Sequence, residues 1–178
     1  MTAYSSTVDT PIGPFTAIIA TDEVVLASGW TDSFDALLPV IAPHLRPIEV
    51  RRRPDLGAVT KAIRLYHEGN LTAVDDIPVR QSSGQFITHA WDILRTVPPG
   101  KPTTYTNFAA LSGRPEAIRA AASACARNAA ALFVPCHRIV RTDGSLGGFR
   151  WGLPVKCWLL NHELPSHQLK TADDCRPQ

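Results

Sequence analysis

The chain has 178 residues, of which 44% are hydrophobic and 19% are charged, and its formal net charge is +2. These values are typical of a globular protein and argue against a disordered or fibrous chain. No apolar run approaches the length of a membrane span, and the start lacks the pattern of a secretion signal, so we expect a cytoplasmic protein with no membrane partner.

The first half of the chain is expected to begin with a small sheet. Apolar runs at 15–20 and 24–30 are separated by Thr21-Asp22-Glu23, which is the pattern of a β-hairpin. Residues 33–44 have helical spacing but contain Pro39, so any helix there is short or kinked.

A basic triplet and a helix follow, and then a polar segment. Arg51-Arg52-Arg53-Pro54 is expected to be a solvated turn, while residues 56–68 have the apolar spacing of a helix that ends at Gly69. Gln81-Ser82-Ser83-Gly84 is polar and is the expected boundary between two domains.

The second half is expected to open with a helix over 85–97 and then a helix-turn-helix. Thr103 and Thr104 offer N-caps for a helix over 105–111, Gly113 ends it, and a second helix covers 116–127. The second helix consists mostly of small residues. Small side chains would let the helix backbone dock closely against a partner, but the high helix propensity of alanine explains them equally well.

Positive charge is concentrated in this part of the chain. Between 95 and 156 only Glu116 and Asp143 oppose nine basic residues, which are Arg95, Lys101, Arg114, Arg119, Arg127, Arg138, Arg141, Arg150 and Lys156. Such a field suits a polyanion such as nucleic acid, although a solvated basic face without a partner stays open on charge alone.

The most informative stretch is 132–140, where Cys136 and His137 interrupt two apolar runs that read as buried strand. Pro135 cannot donate to a sheet and indicates a bend at this point. A cysteine in an apolar strand is more often a small core residue than a nucleophile. None of the four cysteines has Cys-x-x-Cys spacing, so we expect neither a zinc site nor a disulfide framework.

After this stretch, 142–144 is a turn, 146–152 is a glycine-rich aromatic loop, and Pro154 opens a helix that runs to Glu163. The polar tail at 166–178 is expected to be disordered.

In this order, the second half resembles the O6-alkylguanine-DNA alkyltransferases, also called methylated-DNA–protein-cysteine methyltransferases. Within it, Ala122-Ser123-Ala124-Cys125-Ala126 and Arg150-Trp151-Gly152 are most similar to the C-terminal part of the bacterial adaptive-response protein. The matching segments are Thr104-Tyr105, Ala109-Ala110, Arg114-Pro115-Glu116-Ala117-Ile118-Arg119-Ala120, Asn128, Pro135-Cys136-His137-Arg138, Gly152-Leu153-Pro154-Val155-Lys156 and His162-Glu163.

The resemblance implies a mixed α+β (α/β) protein of two domains. Residues 1–81 would form a small ribonuclease-H-like domain with an antiparallel sheet and helices, supported only loosely by Thr10-Pro11-Ile12-Gly13-Pro14. Residues 84–165 would form a mostly helical, winged-helix-like domain that contains the helix-turn-helix.

The resemblance also implies a DNA repair enzyme that transfers the methyl group of O6-methylguanine, and that of O4-methylthymine, irreversibly to Cys136. His137 would act as the base through a water, with Glu163 orienting its ring and Asn128 positioning the water. Tyr105 would donate a proton to guanine N3. Neither a metal nor a cofactor is implied, because the substrate carries the electrophile.

The implied partner is double-stranded DNA, bound in the minor groove by a monomer that flips the alkylated base into a pocket. Arg119 would fill the space that the base leaves. The implied DNA-binding residues are Thr104, Arg119, Ala120, Ser123 and Arg127, and the implied pocket residues are Ile139, Phe149, Arg150 and Trp151.

The sequence departs from the family pattern at three points. Phe149 stands where many relatives have tyrosine, so no hydroxyl contribution is expected there. Trp151 stands where some relatives have glycine, and we expect it to narrow the pocket and favour methyl over benzyl groups. No cysteine precedes Cys125, so neither a structural zinc nor phosphotriester repair and transcriptional control are expected.

Simpler interpretations of single residues stay open, since Tyr105 could be a packing residue, Asn128 a helix cap and Glu163 an exposed acid. Three other functions stay open as well. A non-catalytic lesion binder would lack the acceptor cysteine, a cysteine hydrolase would turn over more than once, and a sequence-specific regulator would prefer one unmodified DNA site.

Overall fold

The computed structural model describes residues 1–165, which form two compact units. The first consists of Met1–Ser83 and Asn128–Phe133, and the second, within the described residues, of Gly84–Arg127 and 134–165. A division of the sequence at 81–84 does not predict that a later segment packs with the first unit, because that contact is non-local. Within residues 1–165, the helices are too short or too polar to cross a membrane.

A four-stranded sheet forms the centre of the first unit, with strand order β3-β2-β1-β4. The strands are β1 (Thr2–Thr10), β2 (Gly13–Ala20), β3 (Val25–Gly29) and β4 (Glu49–Arg52). The first three pair antiparallel, which confirms the predicted hairpin, and β4 pairs parallel to β1 at the edge.

The prediction of a turn at Arg51-Arg52-Arg53-Pro54 is wrong for its first two residues, which belong to β4. An edge strand pairs through its backbone and needs no apolar side chains, and charged residues are common there. The side chains of Arg51 and Arg52 are exposed, as expected for this position.

The predicted short helix at 33–44 is confirmed as three separate 3₁₀ turns, Phe34–Ala36, Leu38–Val40 and Pro43–Leu45. Helix α1 (Ala58–His67) confirms the predicted helix at 56–68 and buries Val59 and Ile63.

The second unit is mostly helical, as expected. Up to residue 165 it contains a two-stranded parallel sheet, made of β5 (Thr103–Thr104) and β6 (Ile139–Val140). Its four α-helices in the same range are α2 (Gln85–Leu94), α3 (Tyr105–Leu111), α4 (Ile118–Ala126) and α5 (Leu153–Glu163). Helices α3 and α4 form the predicted helix-turn-helix, and Gly113 between them has a φ of +90°. The mixed α+β class is therefore confirmed. The predicted disordered tail at 166–178 lies outside the described residues.

Local chemistry accounts for these helix limits. The Thr104 hydroxyl accepts a hydrogen bond from the Asn107 amide at 3.1 Å, so the predicted N-cap of α3 is confirmed. Helix α4 begins at Ile118, two residues later than predicted, because the backbone of Ala117 is not helical. The Trp91 indole donates to the Ala124 carbonyl at 2.8 Å and fixes α2 against α4.

Candidate active site

The site begins where the chain bends before Cys136. Pro135 precedes a 3₁₀ turn over Cys136–Arg138, which is closed by a 3.1 Å hydrogen bond from the Arg138 amide to the Pro135 carbonyl. The predicted bend is confirmed, but the prediction that the preceding apolar run is a strand is wrong. Leu132 has a φ of +75°, which is incompatible with a regular strand. Cys136 is a free cysteine, and the residue is 8% exposed.

His137 and Glu163 form a buried pair. The His137 Nε2 and Glu163 Oε1 atoms are 2.7 Å apart, and each side chain is 1% exposed. A carboxylate can only accept, so Nε2 carries the hydrogen and the proton-accepting lone pair of a neutral ring lies on Nδ1. The structure therefore brings together the two residues that sequence reasoning assigned as base and orienting acid.

Arg138 is the third member of this cluster, and no role was predicted for it. Its Nε and Nη2 atoms donate to Glu163 Oε2 at 3.0 Å and Oε1 at 2.9 Å, and its Nη1 atom donates to the Val97 carbonyl at 2.7 Å. A buried carboxylate needs a compensating cation, but no local pattern shows that Glu163 is buried, so the sequence held no signal for this partner.

These contacts determine the protonation of the pair. Burial dominates at His137 and, despite the opposing effect of Glu163, lowers the pKa of the imidazole. Burial acts to raise the pKa of Glu163, but His137 and Arg138 together hold that pKa well below its usual range. Burial, with a smaller contribution from the Arg138 charge, therefore favours the neutral form of His137, which can accept a proton.

A close backbone approach and a buried lysine lie next to this cluster. Gly100 has a φ of +76°, and a Cβ at this position would lie 2.8 Å from the Glu163 carbonyl oxygen. Lys156 is fully buried, and its ammonium donates to the carbonyls of Ile139 at 2.7 Å, Leu146 and Gly148. Burial lowers the pKa of Lys156 to about 8, which Cys136 partly opposes.

Tyr105 lies at the start of α3 and lines a cavity of about 620 Å³. This volume is in the range of roughly 300–1,000 Å³ that pockets for small ligands have. Burial raises the pKa of Tyr105 to about 12; Cys125 and Cys136 also raise it, and Arg141 lowers it. The other lining residues are Thr106, Ile118, Arg119, Ala122, Arg141, Thr142, Asp143, Gly147 and Gly148. Cys136 does not line this cavity.

The predicted DNA-binding residues lie along the helix-turn-helix. Arg119 is exposed on α4 at the cavity, and its carbonyl accepts a 3.0 Å hydrogen bond from the Ser123 hydroxyl. Ala120 and Ser123 are half-buried on the same helix, Arg127 is the exposed residue that ends it, and Thr104 caps α3. Their contact with DNA stays a prediction.

Asn128 belongs to the first unit and is 4% exposed. Its Oδ1 atom accepts hydrogen bonds from Gln81 Nε2 at 3.0 Å and from the Ala130 amide at 3.1 Å. These contacts join the ends of two chain segments within that unit. The role that sequence reasoning gave to Asn128, positioning a water for His137, stays a prediction.

The four predicted pocket residues have different surroundings. Ile139 is fully buried in β6, and Phe149 lines a second cavity of about 400 Å³. Arg150 donates through Nη2 to the Ala126 carbonyl at the end of α4. Trp151 is half-buried and lines neither cavity, so the expected narrowing of the pocket stays a prediction.

Comparisons with known proteins show what this chain is similar to. Residues 85–164 match a family model described as the DNA-binding domain of 6-O-methylguanine DNA methyltransferase. The chain is 33% identical to a methylated-DNA–protein-cysteine methyltransferase of Mycobacterium leprae, over 95% of this chain and 96% of that protein. It is also 42% identical to the bifunctional transcriptional activator/DNA repair enzyme Ada of Escherichia coli, over 52% of this chain and 26% of that protein.

A solved structure with a similar fold is Mycobacterium tuberculosis OGT in complex with DNA. It has a TM-score of 0.76 and 27% sequence identity, and the match covers 90% of this chain and 92% of that one. The similarity to M. leprae and M. tuberculosis proteins extends over both units, whereas the similarity to Ada is confined to about half of this chain.

Proposed function

Because the chain belongs to the family of methylated-DNA–protein-cysteine methyltransferases, we propose that it repairs O6-methylguanine in DNA by transferring the methyl group to its own Cys136. The observation that carries this proposal is the buried cluster of His137, Arg138 and Glu163, in which His137 and Arg138 lie on the same 3₁₀ turn as Cys136. The methyl group on O4 of thymine has the same chemistry, and we propose it as a second substrate.

The first step is removal of the thiol proton. A thiol is mostly protonated at neutral pH and reacts as the thiolate. With Nε2–H donated to Glu163, the Nδ1 atom of neutral His137 can accept the Cys136 proton through one water. The Glu163 carboxylate, which Arg138 holds in place, then stabilises the resulting imidazolium without exposing it to solvent.

The second step is displacement at the methyl carbon. The Cys136 thiolate attacks that carbon, the new S–C bond forms as the O6–C bond breaks, and the electron pair of the broken bond stays on the guanine. Tyr105 donates its phenolic proton to N3 and neutralises the leaving base. This role fits the position of Tyr105 on the cavity wall.

The product determines the stoichiometry. Alkylated Cys136 is a thioether, which neither thiol exchange nor hydrolysis reverses, so each molecule acts once. Proton transfer, positioning and the substrate's own electrophile account for every bond that forms or breaks, and the proposed reaction has no cofactor step.

The proposed partner is duplex DNA, which a monomer binds through the helix-turn-helix. Helix α4 would enter the minor groove, and exposed Arg119 would occupy the space left by the flipped base. The cavity next to Arg119 and Tyr105 is large enough for a base. A reader of lesions must not depend on sequence, which suits binding in the minor groove. DNA as substrate makes the cytoplasm the proposed compartment.

Stoichiometry tests the proposal directly. The protein is mixed with a tenfold excess of duplex containing O6-methylguanine, and the restored guanine is counted over time. We expect one guanine restored per protein molecule and none with Cys136→Ala. Restoration of several guanines per molecule would support a hydrolase instead, and binding without restoration would support a non-catalytic lesion binder.

A further inference from the structure

Arg141 is a cation near the proposed site that has no role in the reaction steps proposed for Cys136, His137 and Tyr105. It follows β6 directly, its side chain is exposed, and it lines both the larger cavity and the second one. Within residues 1–165, no carboxylate forms an ion pair with it, and the nearby Asp143 carboxylate is engaged by the Ser145 amide at 2.9 Å and hydroxyl at 2.7 Å. A positive charge therefore remains available at the cavity wall.

The stem of the Arg141 side chain and the Tyr105 phenol lie on the same side of the loop, next to Gly147. A Cβ built on Gly147 would lie 3.2 Å from the Tyr105 Oη atom and 3.6 Å from the Arg141 Cγ atom. The phenol and the arginine side chain thus converge on Gly147, which has no side chain to separate them. The guanidinium lies beyond Cγ on a flexible stem, so it can approach the phenolic oxygen from the cavity.

We propose that Arg141 is a positioning residue that acts through Tyr105, by stabilising the negative charge that develops on the phenolic oxygen as its proton moves to N3 of the departing guanine. This inference rests on the proposed function. In the step, the O–H bond of Tyr105 breaks as the N3–H bond forms, and the oxygen keeps the electron pair. The guanidinium then lies next to the resulting phenolate.

The surroundings explain why such a charge is needed. Burial is the main factor that opposes ionisation of the Tyr105 phenol, and negative charge on the sulfur of Cys125 on α4 or Cys136 on the 3₁₀ turn would oppose it as well. Arg141, which follows β6, favours this ionisation. Arg119 also lines the cavity, but in the proposed complex its side chain occupies the space that the flipped base leaves in the duplex. Arg141 is the cation whose side-chain stem lies, at Cγ, beside the same Gly147 that the phenol contacts.

Arg141 could instead hold a phosphate of the DNA strand, as exposed arginines commonly do. The two roles differ in what they change. A phosphate contact adds the same binding energy to any DNA and leaves the rate of the bound complex unchanged. Assistance to Tyr105 changes the rate of the bound complex and depends on a proton acceptor at N3.

The test therefore compares two lesions, O6-methylguanine and its 3-deaza analogue, which has a carbon in place of N3. Arg141→Gln and Arg141→Lys are measured in single-turnover transfer at saturating protein, and Kd is measured separately. Arg51→Gln is the control, since it removes the same charge from an exposed ion pair in the first unit. We expect Arg141→Gln to slow transfer from the normal lesion by about tenfold. This loss is smaller than the roughly 10²- to 10³-fold loss that follows removal of a donor in direct contact with the reacting group. We expect no slowing with the 3-deaza lesion, and near-normal rates for Arg141→Lys and Arg51→Gln.

Several results would overturn the inference. Equal slowing with both lesions, or a change in Kd alone, would assign Arg141 to the phosphate backbone or to the loop. If Tyr105→Phe transferred the normal lesion at the wild-type rate, the proton donor itself would be wrong. If the wild-type protein left Cys136 unmodified, the proposed function would fail first, so this failure is distinguishable from a failure at Arg141 alone.

Discussion

Replacing Gly147 by alanine is predicted to slow methyl transfer by moving Tyr105. The new Cβ would lie 3.2 Å from both Oη and Cε2 of that ring. Carbon contacts are optimal at about 3.5–4.0 Å, so the ring must move by a few tenths of an ångström. Since a displacement of about 1 Å can cost on the order of 10²-fold in rate, we expect a loss of roughly three- to tenfold.

Gly144 provides a matched control in the same loop. Its φ of +85° is close to the +72° of Gly147, but a Cβ on Gly144 would meet no atom within 4 Å. An alanine at either position costs roughly 1–2 kcal/mol for the left-handed backbone. We therefore expect Gly144→Ala and Gly147→Ala to lose similar amounts of unfolding free energy in urea, while only Gly147→Ala slows transfer.

The assay is single-turnover transfer from O6-methylguanine duplex at saturating protein, so that weaker binding does not affect the rate. Equal slowing by the two variants would refute the steric argument, because it would trace the loss to the loop backbone. Wild-type rates for Gly147→Ala would show that the position of Tyr105 does not limit the reaction.

Three further predictions concern the buried cluster and the loop. Glu163→Gln leaves the Arg138 guanidinium buried without its counter-charge, and we expect a loss of about 3–5 kcal/mol in urea denaturation; a loss under 1 kcal/mol would contradict the ion-pair account. The folded-state pKa values of His137 and Glu163 are both lowered, so the unfolded chain binds more protons in acid. The free energy of unfolding should therefore fall as the pH drops below about 6.5, the ordinary pKa of histidine, and fall again below about 4.3, the ordinary pKa of glutamate. In His137→Gln the fall below about pH 6.5 should be smaller. Trp151→Gly should raise the transfer rate for O6-benzylguanine relative to O6-methylguanine, and an unchanged ratio of the two rates would exclude Trp151 as the cause of selectivity.

Local sequence signals predicted most of the second unit. Thr104 and Gly113 set the limits of α3 through capping and a left-handed backbone, both of which depend on neighbouring residues only. The bend before Cys136 likewise follows from the missing amide hydrogen of Pro135. The pairing of His137 with Glu163 came from the family resemblance, since 26 residues separate them and spacing alone cannot place them together.

The features that the sequence did not predict depend on contacts between distant residues. Strand β1 contains Ser5, Ser6 and Thr7, whose hydroxyls obscure the apolar alternation, although Ser5 and Ser6 are buried in the sheet. Arg138 is charged but only 3% exposed. Its burial is possible because its guanidinium donates hydrogen bonds to the Glu163 carboxylate and the Val97 carbonyl. No local pattern distinguishes such an arginine from a solvated one.

The central claim is that Cys136 receives the methyl group, and peptide mapping by mass spectrometry after reaction with O6-methylguanine duplex tests it most directly. Cys125 is an internal comparison, because it is also present as a thiol but burial raises its pKa and makes it a poor nucleophile. We predict one added methyl group, located on the peptide that contains Cys136. A methyl group on Cys125, or restored guanine with no modified peptide, would contradict the account.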